Sequence, residues 1–165
     1  MSKNLFSQEV SMQKRFVELL TAFLNEAGIE CPVVPGENFV SIPLGDFTFY
    51  AGLLESRRSI VMQAVVGLLP SSGRDAFCTE LLRMNSLFKG TQGATLGLED
   101  DAVTLQCSIL LDELSEAAFI AQATAYLEAL VHMLEHFGNI AEQAQAAGSV
   151  ISDFDILAMQ NMIRI

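Results

Sequence analysis

The most enzyme-like pattern in the sequence is a pair of histidines one helical turn apart. His132, Glu135 and His136 spell H-x-x-E-H, which in some zinc hydrolases sets two imidazole ligands on one helix face with a glutamate beside them. Both histidines fall on the polar side of the predicted helix, next to Glu128, where a solvated face ordinarily carries such residues. A catalytic zinc also needs a third protein ligand and a cleft. A zinc-dependent hydrolase is therefore the weakest alternative.

The sequence gives even less support for phosphate binding or for nucleophilic catalysis. Gly90, Gly93 and Gly97 are not followed by G-K-[ST] and lead into a strand, whereas a phosphate-binding loop leads into a helix. The chain has two histidines, and neither has an evident serine or cysteine partner for nucleophilic catalysis. We therefore expect a protein that is not an enzyme and that uses no metal or cofactor.

The three cysteines also indicate a structural role. Cys31, Cys78 and Cys107 are odd in number and lack C-x-x-C spacing, so neither a disulfide framework nor a zinc site is predicted. We expect reduced, buried thiols.

Composition narrows the class of partner. Twenty acidic residues against nine basic ones give a formal net charge of -11, which repels nucleic acids and anionic lipid headgroups. The densest apolar run, 60–69, is too short to cross a bilayer, and residues 1–8 lack a signal-type apolar stretch. We expect a cytoplasmic protein without membrane insertion. Apolar residues still make up 51%, which indicates either exposed partner-binding patches or simply a large core.

Residue periodicity predicts the first half of the fold. Apolar positions at helical spacing predict a helix over 12–27, and the Pro- and Gly-containing stretch 31–37 predicts a loop. Alternating apolar residues then predict strands at 39–44, 46–54 and 60–68. The third of these has apolar residues in both registers, so we expect it to be buried on both faces.

The second half of the sequence predicts two further helices with two strands between them. Ser71 or Ser72 is predicted to cap a second helix that runs to about Lys89. Strands are predicted at 94–98 and 102–111, around an acidic turn. Asp112 is predicted to cap a third helix that ends or breaks at Gly138.

Beyond that break, residues 141–147 are predicted to form a short helix and 148–165 a tail. The order α-β-β-β-α-β-β-α predicts an α+β fold with helices packed on an antiparallel sheet. We expect one domain over 1–147 and a C-terminal extension over 148–165.

Several short stretches resemble class I type III secretion chaperones, the CesT or Tir-chaperone family. The similarity lies in L-L-R-M-N at 81–85, G-A-T-L-G-L at 93–98, V-T-L at 103–105 and Leu110. It implies a homodimer whose second helix and neighbouring strand form the interface. The resemblance assigns this dimer interface to Phe77, Cys78, Leu81, Leu82, Asn85, Phe88 and Leu96.

The same resemblance implies a function. The N-terminal segment of a secreted effector would wrap the dimer in extended form, pairing with strand edges and filling apolar grooves, until delivery for export brings the complex to the export ATPase. The predicted effector-binding groove comprises Phe16, Leu20, Phe23, Phe47, Phe49, Leu53 and Val61. Periodicity does not separate groove from core for these residues. A non-secretory protein-binding adaptor of the same fold remains the main alternative, because fold does not determine function.

Overall fold

The structure is a computed structural model, and it describes the backbone of residues 2–162 and the side chains of residues 11–146. Its order confirms the predicted α+β fold. Two short 3-10 turns, Glu55–Arg57 and Ser86–Phe88, complete the elements. The helices and strands are α1 (Ser2–Glu26), β1 (Phe39–Leu44), β2 (Phe47–Leu54), β3 (Ser59–Leu68), α2 (Arg74–Asn85), β4 (Thr95–Glu99), β5 (Ala102–Leu110) and α3 (Glu116–Met162).

The five strands form one antiparallel sheet in the order β1-β2-β3-β5-β4. One face packs against the helices, and its residues alternate along each strand as a half-covered sheet requires. On β3, Ile60, Met62 and Ala64 are buried, whereas Val65 on the other face is 48% exposed. The expectation that this strand is buried on both faces is therefore wrong for the single chain, because nothing in the described residues covers the second face.

The core lies between this sheet and the helices α1 and α3. Phe23 of α1 meets Phe119 of α3 edge to face, with ring centroids 6.2 Å apart. Tyr126 of α3 is buried and donates its hydroxyl hydrogen to the carbonyl oxygen of Leu105, at 3.0 Å. Each such side chain contributes roughly 1.5–3 kcal/mol through burial, so the α3 stripe is a main source of stability.

One segment of α3, Glu116–Ala146, is long and apolar enough to span a membrane by length and composition, with a mean hydropathy of 1.3. The core helix of a soluble protein meets the same criterion. Here Phe119, Ala123 and Leu130 are buried against the sheet, so we assign the segment to the core.

Both helix starts differ from the sequence prediction. Gly73, in a left-handed conformation with φ of 68°, precedes α2, so neither Ser71 nor Ser72 is its cap. Ser115 caps α3 instead of Asp112, because its Oγ accepts a hydrogen bond from the backbone N–H of Ala118. Asp112 pairs with Arg58 at 2.7 Å. A serine therefore caps only α3, where the ion pair of Asp112 with Arg58 leaves the capping position to Ser115.

The helix α3 also runs through Gly138 without the predicted break. Phe137 packs at the β-bulge of β3, where the ring fills the space that a side chain at Gly67 would need: an added Cβ would lie 2.0 Å from the ring. Phe137 also meets Phe77 of α2, at 5.6 Å between centroids. Tertiary packing therefore overrides the weak helix propensity of glycine.

The helix continues across the predicted boundary between 147 and 148. The side chains of 148–165 lie outside the described residues, so the division into a domain and an extension stays a prediction.

Candidate functional site

The outer edge of β1 pairs with no other strand among the described residues, so we call it a free strand edge. The N–H of Leu53 donates to the carbonyl of Asn38 at 2.7 Å, and in an antiparallel ladder alternate residues face the neighbouring strand. The register of β1 with β2 then directs the backbone groups of Phe39, Ser41 and Pro43 away from the sheet. Proline has no N–H, so this β1 edge offers two donors and three acceptors.

A groove of about 520 Å³ runs along the β1 edge, between the strand and the loop before it. Val34 and Phe39 on its walls are 46% and 60% exposed. Glu30 and Glu37 also line it, so its electrostatic potential favours a segment that carries lysine or arginine. Cys31 reaches across the groove, with its Sγ 3.5 Å from the carbonyl oxygen of Ser41.

The opposite edge, on β4, is occupied by a side chain. The amide of Asn85 donates from Nδ2 to the carbonyl of Leu96 at 2.9 Å and accepts at Oδ1 from the N–H of the same residue at 2.8 Å. We call this pair of bonds the Asn85 bridge. It gives Leu96 the donor and acceptor that another strand would otherwise supply, so the β4 edge is closed there.

The uncovered sheet face carries a cluster of apolar side chains, which we call the open face. Phe39 stacks on Tyr50 with centroids 5.3 Å apart and planes at 19°. A concavity of about 340 Å³ lies beside this pair, lined also by Leu54 and Val61. Further along, Leu110 is 65% exposed. Exposed apolar surfaces of this kind are typical of interaction sites.

A second apolar surface lies on α2 and the turn after it. Leu82 and Phe88 are 71% and 52% exposed. Leu87 and Phe88 both have φ of 55°, a left-handed conformation that costs non-glycine residues roughly 1–2 kcal/mol each. Strained, exposed apolar residues cluster at functional sites.

The residues of the predicted dimer interface occupy three different environments. Phe77, Leu81 and Leu96 are buried in the chain's own core, and Cys78 is half-buried. Asn85 forms the bridge to Leu96. Of this set, only Leu82 and Phe88 are exposed, so only these two side chains are accessible to a second copy of the chain.

The predicted effector groove is divided in the same way. Four of its residues are completely or almost completely buried, and Leu53 is 8% exposed. Phe47 is 48% exposed, and Val61 is half-buried and lies on the open face. The four that lie in the core are Phe16, Leu20, Phe23 and Phe49.

Sequence reasoning missed Phe39, Tyr50 and Leu54 as surface residues. Their signal was present, because they occupy the alternate positions of strands whose other positions are buried.

The two histidines lie together on α3, with ring centroids 4.3 Å apart. Nδ1 of His136 is 2.8 Å from the carbonyl oxygen of His132. Within residues 11–146, no three His, Cys, Asp or Glu side chains are close enough to hold a metal ion. The described residues thus provide no third ligand for the zinc-hydrolase alternative.

The sequence profile of the Tir chaperone protein (CesT) family matches residues 18–134, well over half of the chain. The chain belongs to the CesT family. This confirms the resemblance, and the matched region spans all five strands. No curated protein sequence matches this CesT-family chain.

Solved structures show the same CesT fold in other proteins. A chain in the crystal structure of the ExsC-ExsE complex is 19% identical, with a TM-score of 0.61 over 74% of this chain and 93% of that one. A chain in the HopA1-SchA chaperone-effector complex is 17% identical, with a TM-score of 0.56 over 78% and 97%.

A third similar structure has a different description. YbjN, a putative transcription regulator from E. coli, is 16% identical, with a TM-score of 0.55 over 74% of this chain and 91% of YbjN. At these identities the likeness concerns the fold alone, so function must be argued from the CesT-family chain's own surfaces.

Proposed function

We propose that this chain is a type III secretion chaperone: a cytoplasmic homodimer that binds the N-terminal region of a secreted effector in extended form, keeps it soluble and delivers it for export. Membership of the CesT family and the fold shared with a chaperone-effector complex support this function. The proposed role is binding, without catalysis.

The free β1 edge beside an apolar groove is the observation that carries the proposal. An extended peptide can add to this edge as a sixth strand, with main-chain hydrogen bonds to Phe39 and Ser41 supplying affinity. Its alternate side chains would enter the groove near Val34 and the open-face concavity near Tyr50. A bound segment held in this way cannot fold or aggregate.

Charge supports a basic or neutral effector segment. The chain carries a net charge of -11, and Glu30 and Glu37 line the groove itself. Attraction to the acidic surface speeds encounter with a basic segment, and the effect weakens as salt rises. Because ordering a flexible segment lowers net affinity, the complex can still release its cargo.

The proposed dimer uses the apolar surface of α2. Leu82 and Phe88 project from the chain, and burying them against a second copy would remove two large apolar side chains from water. Leu82→Asp should therefore convert a dimer to a monomer, measured by light scattering. Arg83→Asp, also exposed and on the same helix, is the charge control and should leave the dimer intact. A monomeric parent protein would contradict this part of the proposal.

The decisive experiment is co-purification of the tagged chain from its host, with mass spectrometry of the bound proteins and light scattering for stoichiometry. The expected result is one dimer with one export substrate, bound through the substrate's N-terminal region. Deletion of that region should abolish binding. A stable partner that is not a substrate of the secretion system would instead favour the adaptor of the same fold.

A further inference from the structure

Two histidines, His132 and His136, lie side by side on α3. They are four residues apart, so they are neighbours on one face of the helix. His132 is half-buried and His136 is exposed, and their ring centroids are 4.3 Å apart. Two imidazoles that share one metal ion at right angles, with metal–nitrogen distances of about 2.0–2.1 Å, have centroids roughly 4.5 Å apart. The two rings are therefore already near the separation that a shared ion requires.

The helix backbone orients one of the two rings. Nδ1 of His136 is 2.8 Å from the carbonyl oxygen of His132. A carbonyl oxygen can only accept a hydrogen bond, so Nδ1 carries the hydrogen and Nε2 of the neutral ring keeps its lone pair. Histidines that bind metal ions are commonly held in this way, because a hydrogen bond from the other ring nitrogen fixes the tautomer and the ring orientation. His136 is therefore arranged to act as a ligand through Nε2.

The charges along this part of α3 favour a cation. Between residues 116 and 146 the helix contains no lysine or arginine, and its glutamates are at positions 116, 128, 135 and 142. Glu128 and Glu135 are exposed and lie within about one turn of the histidine pair. Their negative potential, together with the net charge of -11, attracts divalent cations to this face.

We propose that His132 and His136 together bind one divalent transition-metal ion, with Cu²⁺ bound more tightly than Ni²⁺ or Zn²⁺. Within residues 11–146 no group of three His, Cys, Asp or Glu side chains is close enough to hold the ion, so water supplies the remaining ligands. The site therefore differs from that of the zinc-hydrolase alternative, which needs a third protein ligand and a cleft. It revises the expectation, drawn from the sequence, that the chain binds no metal.

A bound ion would stabilise α3 where the helix is weakest. It would connect the two ends of the turn 132–136, which directly precedes Phe137, the ring that fills the space at Gly67. Gly138 follows, and glycine is a poor helix former. The pair is on α3, whereas the proposed cargo site is at the β1 edge, so this inference does not depend on the chaperone function.

Calorimetric titration of the untagged chain with NiCl₂ tests the proposal. Ni²⁺ is the probe because it binds imidazole and does not oxidise the thiols of the chain. We expect one ion per chain. His132→Ala and His136→Ala should each weaken binding about a hundredfold, since each variant removes one of two linked ligands.

A variant that exchanges two residues is the matched control. It combines His136→Asn with Asn139→His, and both positions are exposed. The composition stays the same, but the histidines are then seven residues apart, roughly 10.5 Å along the helix, which is too far for one ion. We expect the same hundredfold loss of Ni²⁺ affinity.

Three results would overturn the proposal. Equal affinities in the parent and the exchanged variant would mean that single histidines bind an adventitious ion only. One ion per two chains would mean that histidines of two copies share it. A dissociation constant above about 1 mM for the parent would mean that the pair is not a site.

Thermal unfolding gives a second readout. An ion that binds the folded helix raises the thermal midpoint, by about 3–6 °C for a chain of this size when Ni²⁺ is present at about ten times its dissociation constant. The parent should show this rise and the exchanged variant should not. Circular dichroism without metal should give the same helix content for both chains. Equal shifts in two chains of equal helix content would contradict chelation by the pair.

Discussion

The two outer edges of the sheet differ in whether their backbone groups already have hydrogen-bond partners. On β4, the Asn85 bridge supplies a donor and an acceptor to Leu96, as a further strand would. On β1, the backbone groups of Phe39 and Ser41 face a groove. Soluble proteins usually protect exposed strand edges, because a free edge pairs with other chains. The edge left open is therefore the one to expect at a binding site.

The open edge is also limited in length. Pro43 removes the donor that would extend pairing toward Leu44, and Cys31 approaches the carbonyl of Ser41. A partner strand can thus add only a few main-chain bonds. This restriction favours reversible binding of a short segment over unlimited edge-to-edge association.

The largest expected contrast is in thiol chemistry. Cys107 lies on β5, next to the β4 edge of the sheet. Burial raises the pKa of its thiol from an ordinary value of 9.0 to about 11. At pH 8 its alkylation should be about 100-fold slower in the native chain than in urea, because two pKa units reduce the thiolate fraction by that factor. Mass spectrometry of time points measures both rates. Equal rates would mean that this edge opens readily.

The same pKa shift predicts a fall in stability at high pH. The folded-state pKa is raised, so the contribution is fully present below pH 9 and is lost as pH rises toward 11. Urea unfolding of the parent and of Cys107→Ala across this range tests it. The variant should lose less stability between pH 9 and pH 11, and parallel curves would contradict the assignment.

Removal of the Asn85 bridge should have the next largest effect. Asn85→Leu leaves the N–H and carbonyl of Leu96 without their side-chain partners, which should lower the free energy of unfolding by about 2 kcal/mol. Urea denaturation measures the loss, and hydrogen exchange at the Leu96 amide should accelerate. Asn139→Leu, an exposed asparagine on α3, is the control. An unchanged Leu96 exchange rate would mean that the bridge does not protect the edge.

A change at the open edge should affect binding and leave stability almost intact. Ser41→Pro removes an outward N–H, and we expect about fivefold weaker binding of the export substrate, since one main-chain hydrogen bond contributes about 1 kcal/mol. Ser41→Thr keeps the N–H and serves as the control. Calorimetric titration of both variants decides: equal affinities would exclude the β1 edge as the pairing site.

The smallest effect is expected at the thiol above that edge. Cys31→Ala frees the carbonyl of Ser41 from a weak S–H donor, so substrate affinity should rise by no more than about twofold. Thr124→Ala, an exposed residue on α3, is the control. A large loss of affinity in Cys31→Ala would indicate that the thiol contacts the bound segment directly.

Much of the fold followed from the sequence because its signals were local. Alternation of residues located β1 with its observed bounds, Phe39–Leu44, and the other strands within one residue at each end. The capping positions of the helices were predicted less well. Gly73 precedes α2 in place of Ser71 or Ser72, and Ser115 caps α3 in place of Asp112. Those choices depend on contacts with distant segments, which periodicity does not contain.

The site was harder to predict for the same reason. Phe49 and Phe47 have the same residue type and alternate in the same register, yet one is buried in the core and the other is exposed. Sequence pattern gives the face of a strand and not the extent to which a helix covers it. Likewise, the asparagine of L-L-R-M-N was assigned to the dimer interface, and its bond to Leu96 within the chain could be seen only in three dimensions. Both residue sets stay predictions.

The contact between Phe137 and Gly67 makes the length of α3 critical up to that ring. An α-helix turns 100° per residue, so inserting one residue between Ser115 and Phe137 would rotate the ring out of the space that Gly67 leaves at the bulge. Insertions after Phe137 would not disturb this alignment. Homologous chains are therefore expected to tolerate length variation after this position and to keep the spacing before it.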